Sequence, residues 1–508
     1  MFCKTATAAI CGIQSEIVMV EVDTSDGLPG FSMVGYLTSE VREAQDRVRT
    51  AIRNAGYRLN PKRVTISLTP ASIRKSGAGF DLPIAVAVLA AFGYLPAEAV
   101  ESVFFAGELS LDGSVKPVSG ILGMVLEAKR AGFTSCMIPA DNAAEGAMIQ
   151  GIAVYGVVHL SEVTDHLTAR QKLQQTSFNI EEKLSKSSKS HTLDFAEIHG
   201  QQMVKRAAEI AAAGMHNLLI SGPPGAGKTM IASRIPGILP PLSLEEALEV
   251  SQIHSVAGIL PESGLVTERP FRMPHHTISA IALTGGGRVP HPGEISLAHR
   301  GVLYLDELPE FHNETLEILR QPLEEGEVRI SRNSGQYTFP ADFMLVASRN
   351  PCKCGYFPDR SRCSCSEGEV RRYLHRISRP LLDRIDLHVE ARQVEYEELK
   401  NQQSKEDTTQ QIRERVLLAH EIQKKRYAGS PFHFNSQLTA SALDTYCELG
   451  SAEEEQMRQV YRQKRMTARA YHRLIKVART IADLEGSERI CGEHLSEAVF
   501  YRPSELLM

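Results

Sequence analysis

Gly222-Pro223-Pro224-Gly225-Ala226-Gly227-Lys228-Thr229, with Met230 behind it, is a phosphate cradle by residue type and spacing. Glycines let successive backbone N–H groups turn toward phosphate oxygens, and a helix opening after them adds the positive end of its dipole. Lys228 then reaches the β and γ phosphates of ATP, and Thr229 presents a hydroxyl to a magnesium ion. Further on, the apolar run Val302-Leu-Tyr-Leu ends in two carboxylates, Asp306 and Glu307. Asp306 can hold the magnesium through water, while Glu307 can orient and polarise the water that attacks the γ phosphate. Together the two stretches describe hydrolysis of a nucleoside triphosphate.

A second constellation follows. Cys352-Lys-Cys354 and Cys363-Ser-Cys365 are two Cys-x-Cys pairs separated by eight residues. That length of chain can fold back and offer four thiolates tetrahedrally, which suits zinc. Four protein ligands leave no open position, so such a site is structural. The spacing is tighter than the common Cys-x-x-Cys knuckle, and reduced free cysteines or a redox pair stay as alternatives. Adjacent His275 and His276 would point to opposite sides of a strand, which disfavours a shared metal site.

These residues need elements to position them. Leu218-Leu219-Ile220 ahead of the cradle suits a buried parallel strand, and Met230-Ile-Ala-Ser233 suits a helix. Strands ending at Ile220, Leu305 and Ala347 alternate with helical segments, which predicts an α/β, doubly wound parallel sheet with ligand at the strand C-termini. This domain spans 194–394, and 395–508 turns purely helical, with helices over 440–449, 452–463 and 468–484 forming a lid.

Residues 1–168 read as a separate α/β domain. Strands are expected over 17–22, around Val64, Ile66 and Leu68, and over 136–138. A helix between the first two carries Val41, Ala44, Val48, Ala51 and Ile52 on one face, and further helices are expected over 82–91 and 122–131. The polar stretch 169–193 has the composition of a flexible linker.

At 508 residues, 43% hydrophobic and 23% charged, the chain has globular composition and room for about three domains. No run approaches the roughly 18 apolar residues of a membrane span, and Met-Phe-Cys-Lys-Thr is not a signal-peptide start. Nine cysteines, five of them scattered, argue for a reducing compartment. The expectation is a cytoplasmic protein without a membrane partner. A net charge of −5 gives no global nucleic-acid signature, so binding of DNA would rest on a local basic surface.

Ordered stretches carry a family resemblance: Asp194-Phe-Ala-Glu-Ile-His-Gly200-Gln, Arg272-Met-Pro-His-His-Thr277, Pro292-Gly-Glu-Ile-Ser-Leu-Ala-His299, Leu305-Asp-Glu-Leu-Pro-Glu-Phe311 and Leu381-Leu-Asp-Arg-Ile-Asp386. From about residue 194 the chain resembles the magnesium-chelatase-like branch of the AAA+ ATPases. Nearly its whole length resembles the YifB/ComM family, bacterial AAA+ factors linked to branch migration of recombining DNA. The resemblance implies that Asn350 is the polar sensor of the γ phosphate. Arg384 becomes an arginine finger for the neighbouring subunit's ATP, with Arg379 as a competitor. Arg469 becomes the lid's sensor, with Arg473 as the alternative. It further implies a homo-oligomer, a hexameric ring.

The alternating segment 326–339, with its Asn-Ser-Gly turn, reads as a β-hairpin. In the resembled family such a hairpin projects into the pore, where Arg329 and Arg332 would meet the phosphates of single-stranded or branched DNA. The insertion from about Val256 to Arg288, with Thr284-Gly-Gly-Gly287 near its end, is a second candidate pore segment. Ser76-Gly-Ala-Gly-Phe-Asp-Leu-Pro-Ile-Ala85 and Gly113-Ser-Val-Lys-Pro-Val-Ser-Gly120 resemble the proteolytic domain of Lon-type proteases. The nucleophile position there falls at Gly77 and the lysine position near Leu122, while Ser76 and Lys116 are out of register. The implied shape lacks its peptidase chemistry. Two further functions stay open: a metal-chelatase motor subunit, although the front domain reads as foreign to such subunits, and an ATP-dependent protein remodeller.

Overall fold

The computed structural model describes residues 1–187, 193–332, 335–394, 396 and 407–502. The front domain is built on a long antiparallel hairpin, Phe2–Cys11 with Gln14–Ser25. Arg63–Thr69 and Gly30–Val34 extend its sheet on one side, and Val103–Phe105, Ser135–Pro139 and Ala153–Val157 on the other. Helix Ser39–Asn54 buries Val41, Ala44, Val48, Ala51 and Ile52, the face its periodicity predicts. Helix Asp81–Ala91 is buried along its whole length. It carries the Asp81 carboxylate inside because Arg47 donates to it at 2.8 and 3.0 Å and Leu109 N–H at 3.3 Å.

The second sheet has five parallel strands in the order Phe271–Arg272, Val302–Leu305, Met344–Arg349, Leu218–Ser221, Leu387–Glu390. This is the doubly wound sheet expected, and its strand C-termini all open on one edge. The strand that feeds the cradle lies inside the sheet, paired with Met344–Arg349 on one side and Leu387–Glu390 on the other. Among the described residues five α-helices follow: Thr409–Arg426, Ala440–Tyr446, Ser451–Gln463, Ala468–Leu484 and Gly492–Phe500. The first is started by a reciprocal cap between Thr408 and Gln411, a device that contributes about 1 kcal/mol. Among the described residues no helix is long and apolar enough to cross a membrane.

Two features depart from the sequence reading. Residues 169–187 are not a free tether: Thr176 N–H donates to Val154 O at 2.8 Å, and Ile180–Ser187 is helical. Among the polar residues of that stretch, Phe178, Ile180 and Leu184 are apolar and pack into a core; residues 188–192 lie outside the described residues.

That core is shared. It joins Phe104, Val125 and Ile138 of the front domain to Leu242, Ala247 and Leu265 of the nucleotide domain. Helix Leu244–Ala257, capped by Ser243 and Glu246, lies along helix Ile121–Arg130. Gly120 N–H donates to Ser255 O at 3.1 Å, Gln252 Nε2 donates to Ile13 O at 2.8 Å, and Ser255 Oγ donates to the buried carboxylate of Glu145.

Candidate nucleotide site and four-cysteine cluster

The cradle is tied down from two sides. Gly222 N–H donates to Arg349 O at 3.1 Å, which fixes the loop to the end of the neighbouring strand. Gln201 reaches from behind, its Nε2 donating to Ala226 O at 3.1 Å and to Arg392 O at 2.5 Å. Gly225 (φ 78°) and Gly227 (φ 80°) are left-handed, with no atom within 4 Å of where a Cβ would stand. A side chain there would be strained and would fill the space that phosphate oxygens need. Helix Lys228–Ile238 starts at once and aims its N-terminus into the loop.

Lys228 Nζ donates to Gly222 O (2.8 Å), Pro223 O (2.9 Å) and Asn350 Oδ1 (3.1 Å), so the cradle lysine and the expected sensor meet. Burial lowers its pKa, and Asp306 and Glu307 pull it back up.

Across the cleft, Asp306 is oriented by saturation of one oxygen. Its Oδ1 accepts Tyr304 O–H at 3.0 Å, Glu307 N–H at 3.1 Å and the Ser348 hydroxyl. Oδ2 accepts Thr229 O–H at 3.1 Å, which leaves one carboxylate oxygen beside a hydroxyl for a hydrated magnesium. Glu307 is left-handed (φ 51°), a conformation that costs a non-glycine residue about 1–2 kcal/mol. Its N–H, bonded also to Ser348 Oγ at 3.2 Å, pins the strained backbone while the carboxylate stays exposed at the cleft.

Three of these groups escape the motif reading: Gln201, Ser348 and Tyr304. The signal for Tyr304 is present. It is the one phenol in an aliphatic strand and stands two residues before Asp306, hence on the same face. Tyr304→Phe should keep the fold and raise the magnesium concentration for half-maximal hydrolysis by about tenfold, the scale of one hydrogen bond to a carboxylate. A magnesium titration of turnover reads this, and an unchanged midpoint would remove Tyr304 from the site.

Arg384 and Arg469 stand elsewhere. Both line a cavity of about 930 Å³ with Arg473, Lys476, Arg300 and Glu324. Arg384 O accepts Asn217 Nδ2 at 2.9 Å, and Asn217 precedes the strand whose far end carries the cradle. Four strand residues separate the two edges, about 13 Å of rise. Arg469 lines this cavity together with Arg384, and none of the cradle residues 222–229 does. Arg473 is committed within the chain: it is buried and donates to Ile385 O at 3.1 Å and Asp383 at 3.2 Å.

The hairpin forms as Glu327–Arg332 with Gly335–Pro340, directly ahead of the Asn350 strand; its turn residues 333 and 334 lie outside the described residues. Arg329 is held by Glu327 at 2.5 Å and Glu325 at 3.6 Å, so neighbouring acids already occupy this candidate phosphate contact. Arg332 is exposed, and its guanidinium lies 3.2 Å from where a Cβ on Gly286 would stand, which makes the two pore candidates neighbours.

Cys352, Cys354, Cys363 and Cys365 bring their sulfurs within 4.8 Å of one another. Individual Sγ pairs stand 3.3, 3.5 and 3.8 Å apart. Bonds of about 2.3 Å to a central zinc give tetrahedral edges of about 3.8 Å, whereas a disulfide would need about 2.05 Å. Phe357 N–H donates to Cys352 Sγ at 3.4 Å, and a backbone hydrogen bond from Tyr356 lowers the Cys354 thiol to about 6. The four thiols fit a closed structural zinc site.

An interior P-loop strand in a parallel sheet, a carboxylate pair at the end of the next strand but one, and a helical lid define an AAA+ ATPase of the magnesium-chelatase type. The family model "Magnesium chelatase, subunit ChlI" matches residues 194–399, and its C-terminal counterpart matches 406–502. A third, "Subunit ChlI of Mg-chelatase", matches 20–142, so the front domain is not foreign to that heading as its sequence suggested. Competence protein ComM of Haemophilus influenzae is 42% identical over 97% of this chain and 96% of its own. YifB of Salmonella typhimurium is 41% identical over 99% and 97%. The magnesium-chelatase 67 kDa subunit of Heliobacterium mobile is 30% identical over 36% of this chain and 32% of its own. The chain belongs to the YifB/ComM family.

Proposed function

We propose that the protein is a cytoplasmic, ring-forming ATPase that couples ATP hydrolysis to the remodelling of single-stranded or branched DNA, as in branch migration of recombination intermediates during transformation. Lys228 and the cradle bind the phosphates, Thr229 and Asp306 hold magnesium, and Glu307 with Asn350 directs the attacking water. Arg384 and Arg469 serve the nucleotide of the next subunit in a hexameric ring. The observation that supports this is their shared cavity at the sheet edge opposite the P-loop, which suits a role for both arginines on a neighbour's transferred phosphoryl group. A site split in this way is completed by a head-to-tail neighbour, and repetition of that contact closes a ring. Zinc on the four cysteines is structural.

A chelatase motor is the second reading, favoured by the description shared by all three family models. The DNA reading is favoured by coverage: ComM and YifB align along nearly the whole chain, and the chelatase subunit along about a third.

ATP turnover measured with single-stranded DNA, a four-way junction, denatured protein and porphyrin separates them. Stimulation by DNA is expected; stimulation by denatured protein or porphyrin alone would overturn it. Arg332→Ala should weaken DNA binding more than Arg329→Ala, because Glu325 and Glu327 already neutralise Arg329. The slope of log affinity against log salt should fall by about one for each phosphate no longer engaged.

A further inference from the structure

We infer that the four-cysteine turn is a positioning element of the nucleotide site, whose metal holds the P-loop in its receiving shape. The inference rests on the zinc reading above. Cys352 comes two residues after Asn350, and the segment touches the cradle at three places. Arg349 O accepts Gly222 N–H at 3.1 Å, Asn350 Oδ1 accepts Lys228 Nζ at 3.1 Å, and Gly355 packs on Pro224. The last contact leaves no room for a side chain. A Cβ on Gly355 would stand 2.5 Å from Pro224 Cδ and 2.7 Å from Cγ, so only a glycine lets the turn lie against the prolyl ring.

Gly355 belongs to the cluster itself. It follows Cys354 directly, is left-handed (φ 90°), and closes a turn by donating its N–H to Cys352 O at 3.0 Å. The backbone that faces Pro224 is thus the loop between two metal ligands.

What fixes that loop is not its apolar core. The cluster buries Val370, Tyr373 and Leu374 beside Cys352 and Cys363, with Tyr356 and Phe357 half covered. So small a core needs a staple, and for a unit of this kind metal binding is folding free energy. With the metal gone the turn loses its shape, and Pro224 loses its backing. The loop must then be ordered at the moment of ATP binding, which lowers affinity while the carboxylate side of the cleft keeps its own hydrogen bonds. Glu307, Thr229 and Asp306 make no contact with the turn among the hydrogen bonds described.

The test uses the full-length protein, metal analysis, and a fluorescent ATP analogue with magnesium in excess. Wild-type protein and Gly355→Ala should both hold zinc. Gly355→Ala should bind the analogue about tenfold more weakly. Zinc removed with a soft-metal chelator under reducing conditions should give the same loss, and added zinc should restore affinity. KM for ATP should rise in step while kcat at saturation stays within about twofold, a split that general loss of structure would not give. Should Gly355→Ala fail to fold, removal and restoration of zinc decide alone. Unchanged affinity in folded, zinc-free protein overturns the coupling and leaves the zinc site standing. Zinc content equal and near zero in wild type and Cys354→Ser overturns both.

Discussion

Arg384→Ala should reduce kcat by about 10³–10⁵-fold, the range that an arginine finger supplies. ATP binding should persist, because the cradle of the same chain is intact. Arg384 is pre-positioned: Nη1 donates to Pro380 O at 2.6 Å, Nη2 pairs with Glu324, and the side chain is only 11% exposed. In the proposed role, a neighbour's phosphate would replace Glu324 as its partner. Replacing Glu324 with Gln should therefore leave hydrolysis in place. Mixing supplies the decisive measurement. Lys228→Ala lacks the cradle cation but keeps the finger, and Arg384→Ala has the reverse defect. Each alone should be inactive, and a mixture should regain turnover at interfaces where an intact cradle faces an intact finger. A mixture as inactive as its parts, at concentrations where both assemble, would place Arg384 in cis or outside catalysis.

Glu307→Gln should slow hydrolysis by about 10²–10⁴-fold, the usual worth of a general base, with ATP still bound. Gln has the same shape and cannot take the proton. The backbone N–H that holds the strained residue remains, so the Asp306–Tyr304–Ser348 cluster should survive the change. Binding of a fluorescent ATP analogue alongside phosphate release separates the two effects. Turnover within tenfold of wild type would assign the water to another group.

The reasons some of this was legible in the sequence are local. The cradle reads directly, because glycine spacing and the following helix are chain-neighbour properties. So does the buried face of Ser39–Asn54, where a 3.6-residue period survives intact. Phe2–Cys11 does not: its Lys-Thr-Ala-Thr-Ala-Ala run lacks large apolar residues, and it becomes a strand by pairing along its whole length with Gln14–Ser25. The docking of 169–187 was hidden for a related reason, since Leu173, Phe178, Ile180 and Leu184 among many polar residues carry little period. Which edge of the sheet receives Arg469 is a tertiary fact without a local signal, whereas the capture of Arg329 by Glu327 two residues earlier follows from strand register. Tyr304 is the instructive middle case. Its residue type and register were visible, but the carboxylate it serves is identified only once the strand is seen in three dimensions.

The seam between the front domain and helix Leu244–Ala257 has a consequence for how the molecule resists stress. Val125 and Ala247 lie in one continuous core, and Glu145 finds a buried partner in Ser255 across the boundary. Peeling the two units apart would expose apolar surface and take from a buried carboxylate one of its three donors, so the boundary drawn along the chain is no line of weakness in space. The front domain is a keel to the ATPase: a displacement of that helix during turnover moves both together, and cutting the gene at the linker would divide one cooperative body rather than separate two.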